Sequence, residues 1–81
     1  MYGIDWPEPV VVEHKVPNKP IVVWSNEDAV NCLMGNWPTK DGARYHQALQ
    51  TLMLVLDGRA EPEEARDAFK AAALEAGYTL H

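Results

Sequence analysis

Residues 9–24 read PVVVEHKVPNKPIVVW, and the class of fold follows from them. Two β-branched runs, at 9–15 and 20–24, flank Pro17 and Asn18. Branched side chains are stiff at χ1 and suit a pleated, half-buried surface, so both runs are expected to be strands. Proline presets φ and asparagine tolerates positive φ, which suits Pro17 and Asn18 to the centre of a tight turn. Pro9 and Pro20 stand at strand starts, where a missing N–H is tolerated. An antiparallel hairpin follows. A lone hairpin is marginal in water, so the remaining chain must cover one of its faces.

Downstream, the hydrophobic period changes from two to that of a helix. Ser25 is a good N-cap and Asp28 sits three residues on, at the capping-box position. A helix over 26–35 then places Ala29, Val30, Leu33 and Met34 on one face, with Trp37 packing just past its end at Gly35. A second helix is expected over 41–57, capped by Thr39 or Asp41. Its stripe is Tyr45, Leu49, Leu52 and Leu56, flanked by Ala48 and Val55 on one side and by His46 and Met53 on the other. Pro62 among Glu61, Glu63 and Glu64 starts a third helix over 61–76. Its inner face is Ala65, Phe69, Ala72, Ala73 and Ala76, and Gly77 ends it. Residues 1–8 read as an extended arm, and 78–81 as a tail or a short added strand, with the tail preferred. The expected fold is α+β: a small antiparallel hairpin with three helices on one face, in a single domain spanning 1–81.

Bulk properties exclude several kinds of partner. The 81 residues carry a net charge of −5, which disfavours phosphate backbones and anionic membrane surfaces. Basic residues are scattered without a stripe, so nucleic acid is not an expected partner. The single cysteine, Cys32, cannot form an intrachain disulfide, which suits a reducing compartment. The N-terminal residues lack the basic and apolar regions of a signal peptide, and no apolar run approaches membrane-spanning length. A cytoplasmic protein with no membrane contact is expected.

Candidate chemistry concentrates in residues 36–46, NWPTKDGARYH. Trp37 offers a stacking wall, Lys40 and Arg44 are cations near a helix start, and His46 is a titrating group. Helix N-termini favour anions, and arginine adds a donor fork. Each side chain also has a structural explanation: Pro38 keeps the first helix from resuming, a cap precedes the second, and Tyr45 opens its buried stripe. Arg44 and His46 lie about 100° to either side of Tyr45 on the wheel, so the group does not converge. Pairing Cys32 with His46 as nucleophile and base is weaker, because a mid-helix thiol lacks the position that lowers its pKa. His14, Cys32, His46 and His81 show no paired metal-ligand spacing. The acids Glu61, Glu63, Glu64 and Asp67 are accounted for by a helix start. No catalytic residue, metal or cofactor is assigned.

The segments WPTKDGARYHQAL, LDG and EPEEARDAFKAAALEAG, after a valine-rich strand and a helix start SNEDAV, resemble domain-of-unknown-function family 982. These are short uncharacterised bacterial proteins, and the resemblance runs over about 9–77. It implies a small α+β domain and carries no activity, cofactor or catalytic residue. The reading that follows is a small non-catalytic interaction or regulatory module that recognises a protein partner or a second copy of itself as a homodimer. Its contacts would come from a hairpin edge or from Leu54 and Leu74, apolar residues on otherwise polar helix faces. The alternative is a small-molecule binder or accessory enzyme with a shallow site at the Trp37–His46 corner.

Overall fold

The computed structural model describes residues 5–13, 20–35, 37, 38 and 40–80. Three strands and three helices follow in the order β1 (Asp5–Glu13), β2 (Pro20–Ser25), α1 (Asn26–Met34), α2 (Ala43–Leu56), α3 (Pro62–Glu75) and β3 (Thr79–Leu80). The expected α+β class holds. The Pro17-Asn18 turn, His14, Lys15, Thr39 and His81 lie outside the described residues.

The sheet order is β2-β1-β3, antiparallel throughout, so β1 is the central strand. It starts earlier than the valine run suggests. Asp5 pairs with Ser25, and the register shifts before Val10 meets Val23, which makes part of the expected N-terminal arm a strand. Pro7 and Pro9 fall inside that irregular stretch, where a missing N–H costs no regular ladder bond. At the other end, Gly77 takes φ 90° and lets the chain turn back after α3. Its N–H reaches the Leu74 carbonyl and the Tyr78 N–H reaches that of Ala73, the paired bonds of a Schellman close. Thr79 and Leu80 then pair with Glu13 and Val12. The expected tail is therefore a strand, too short to show a period of its own.

The helices cover one face of the sheet: α3 packs against β1 and β3, α1 against β2, and α2 lies on α3 and α1. Val10, Val12 and Val23 point inward and meet Ala29, Leu33, Ala48, Leu52, Phe69 and Ala72 in one core. Phe69 is the centre of an aromatic row, with Trp6 at 5.7 Å and Trp37 at 5.6 Å between ring centroids. The small side chains Ala65, Ala72 and Ala73 are fully buried and let α3 pack close to its neighbours.

Three apolar assignments are corrected: Leu56, Met53 and Met34. Gln47 and Thr51 of α2 face Asp67 and Ala71 of α3, so burial on α2 turns toward Ala48 and Val55. Leu56 and Met53 are left exposed on the opposite flank, although Leu56 fits the helical stripe. Met34, the last residue of α1, is exposed as well.

Candidate functional site

The corner between α1 and α2 is built mainly from backbone demands. Ser25 caps α1 through its Oγ, which accepts from the Asp28 N–H at 3.3 Å. At the start of α2 Asp41 is not the cap. Gly42 is the N-cap residue, and the free amides are taken by a side chain from the far end of α3. The Glu75 carboxylate accepts from the Arg44 N–H at 3.1 Å and from the Tyr45 N–H at 3.2 Å. Gly42 leaves room for this cap: a Cβ on it would meet the Glu75 carboxylate, the flexible end of a side chain that would have to swing away. The N-terminus that could have held an anion therefore already holds one, supplied by the chain itself.

The proposed site residues diverge. Trp37 is buried, its ring stacked on Tyr78 at 4.8 Å and tilted against Phe69, so it offers no open face to a ligand. Its Nε1 is buried and finds no hydrogen-bond partner among the described residues. Lys40 reaches back to α1, where Nζ donates to the Met34 carbonyl at 3.4 Å, a cation at a helix C-terminus. Arg44 donates to Gln47 Oε1 at 3.0 Å and lines the groove between α2 and α3. His46 is exposed on the other side of α2, edge-on to the Tyr45 ring at 5.5 Å. Tyr45 itself is buried and donates its hydroxyl hydrogen to the Leu33 carbonyl at 3.0 Å, tying the two helices. Lys40, Arg44 and His46 thus serve three different places.

The remaining candidates separate in the same way. Cys32 faces a groove of about 400 Å³ lined by Ile21, Val22, Val23, Asp28 and Tyr78, to which α2 contributes no residue. Burial pushes its thiol up from the ordinary value, and the charge of Asp28 adds to the rise. Less thiolate means a poorer nucleophile. Burial likewise raises the Tyr78 phenol, with Cys32 a second cause. No group of three His, Cys, Asp or Glu side chains among the described residues could hold a metal ion. Leu54 is half-buried, on the flank of α2 shared with Gln47 and Thr51, whereas Leu74 is exposed. No helix among the described residues is long and apolar enough to cross a membrane.

A protein-family model for proteins of unknown function, DUF982, matches residues 8–80. The chain belongs to the DUF982 family. Comparison with curated proteins and with solved structures returns no match. Two further features of this DUF982 chain escaped the sequence reading. Asn26 reads as an ordinary first-turn residue, yet it is buried and bridges three elements. It accepts from Trp6 Nε1 at 2.9 Å and donates to the Leu52 carbonyl at 3.4 Å. The second is β2, whose exposed apolar side chains look like ordinary strand residues in the sequence.

The Glu75 cap makes a direct prediction. Glu75→Ala is expected to cost about 1 kcal/mol, the usual worth of an N-cap acceptor. Gly42→Ala should cost a similar amount by expelling the same carboxylate. The double variant should lose little more than either single one, because both remove one interaction. Urea denaturation of the three variants checks this.

Proposed function

We propose that the chain is a non-catalytic association module and that its contact surface is β2. The observation carrying this reading is a run of exposed apolar residues on one uncharged strand: Ile21 at 39 %, Val22 at 44 % and Trp24 at 58 % exposure. Trp24 and Val22 belong to the sheet face opposite the helices, together with half-buried Val11. An exposed tryptophan beside two branched aliphatics is the composition of a contact centre, where tryptophan is enriched. The occupant of best fit is a second copy. Two chains of net charge −5 repel over most of their surfaces, and Pro20–Ser25 contains no charged residue, so it can face its own duplicate without like charges opposed.

This reading gains support from the fate of the corner. Its helix amides hold Glu75, its tryptophan is covered, and its cations diverge. Those facts weigh against the alternative of a small-molecule site between Trp37 and His46.

Light scattering over a range of concentrations tests the proposal. The wild-type mass should rise toward that of a dimer, and Trp24→Ala should shift the transition to at least tenfold higher concentration. Arg44→Ala with His46→Ala should leave it unchanged. A mass that stays monomeric at the highest concentration, or one that responds to the corner variants and not to Trp24, would sink the proposal.

A further inference from the structure

The edge of β2 away from β1, which no described strand pairs, is not open along its length. The Trp24 N–H does not go to β1; it donates to Asp28 Oδ2 at 3.1 Å. Residues of a strand alternate in the side to which their backbone groups point. All four residues Pro20 to Val23 stand opposite β1 residues; by this alternation the backbone groups of Val22 and Pro20 share the outward direction of Trp24, and those of Ile21 and Val23 face β1. Pro20 has no N–H to offer. Asp28 thus covers one end of the edge, Pro20 blunts the other, and Val22 alone presents both an N–H and a carbonyl that no described residue takes. Edge strands are commonly protected by prolines and charges in this manner.

Resting on the reading of β2 as the contact strand, we infer that the second copy adds edge to edge, antiparallel, with Val22 opposite Val22 across a two-fold axis. This register uses what the edge has left. The two Val22 residues exchange a reciprocal pair of hydrogen bonds. The Trp24 ring falls opposite the second copy's Pro20, on the face away from the helices. The Pro20 carbonyl then faces the second copy's Trp24 N–H, which can replace Asp28 as partner. On the helix side, Ile21 stands opposite Val23, beside the groove lined by Ile21, Val23, Cys32 and Tyr78. Every directly opposed pair is uncharged, and only pairs whose numbers sum to the same even value keep both sheets' faces aligned. Asp28 then has a second role besides the first turn of α1: it competes with the second copy for the Trp24 amide.

Sedimentation equilibrium on three variants tests the register, with circular dichroism confirming the fold. Val22→Pro removes the reciprocal bonds without touching the β1 ladder and should weaken dimerisation at least tenfold. Asp28→Ala releases the Trp24 N–H and should tighten it severalfold, whereas Asp28→Asn keeps an acceptor and should behave nearly as wild type. In the wild type the Val22 amide should gain hydrogen-exchange protection as concentration rises. Dimerisation that responds to Trp24→Ala but not to Val22→Pro or Asp28→Ala, with Val22 unprotected, overturns the edge register and leaves β2 as a face contact. A wild-type chain that stays monomeric overturns the underlying reading, whatever the variants do.

Discussion

Phe69→Ala is expected to remove about 3–5 kcal/mol of folding stability, the usual cost of deleting a buried phenyl ring. Three facts place it at the high end. Phe69 is fully buried, and it is the largest such side chain. Its ring stands between Trp6 from β1 and Trp37 from the corner, at 5.7 and 5.6 Å. The surrounding α3 residues are alanines, which cannot swing over to fill the void. Domains hold about 5–15 kcal/mol in all, so the variant should lose a large share of its stability and, at the low end of that range, be partly unfolded at room temperature. Urea titration followed by tryptophan fluorescence would show a much lower midpoint. A loss under about 1 kcal/mol would mean that the row of rings does not hold sheet and helices together.

Asn26 carries the second large effect. Its side-chain oxygen takes the Trp6 indole N–H and its amide reaches the Leu52 carbonyl, so one residue joins β1, α1 and α2 inside the core. Asn26→Leu keeps the bulk and removes both partners. The Trp6 donor is then buried unsatisfied, for about 2–3 kcal/mol. Asn26→Asp tests the same bridge with the opposite fault: it keeps an acceptor for Trp6 and loses the donor to Leu52. Its carboxylate is then buried beside a carbonyl oxygen, which is costly without a cation. Thermal melts should rank wild type above both variants. Equal melting of wild type and Asn26→Leu would show that the bridge contributes nothing net.

The elements that were legible in the sequence share one property: their signal is local. The valine runs, the Ser25 cap, the Pro62 start and the glycine stops each act within a few residues, and β2 and the three helices follow from them within two residues at each end. What escaped is long-range. Glu75 caps α2 from 30 and 31 residues away. Trp6 meets Asn26 across 20. Neither pairing leaves a spacing to find. The side of α2 that is buried depends on where α3 lies, and a helical wheel does not know its neighbour. Hence Leu56 fits the stripe and is exposed, while Leu54 stands opposite it and is half-buried. Arg66 is a similar case. It donates through Nε to the Glu8 carbonyl at 3.0 Å, 58 residues away, and pins α3 to the irregular part of β1.

The candidate site was half legible. Trp37, Lys40, Arg44 and His46 stand out as a list, and the wheel already separates Arg44 from His46. Their use could not be read, because it depends on Met34, Gln47, Tyr45 and Tyr78 around them. Trp24 was hidden for the opposite reason. A tryptophan ending a β-branched run looks like core, and only the sheet's orientation shows that it faces out.

A dilution series of amide and indole NMR spectra tests the central claim most directly. If β2 is the contact and the corner is architecture, signals of Ile21, Val22 and Trp24, including the Trp24 indole, should shift with concentration. Those of Lys40, Arg44, His46 and the Trp37 indole should stay still. Shifts confined to the corner, or none over the whole range, would contradict the account.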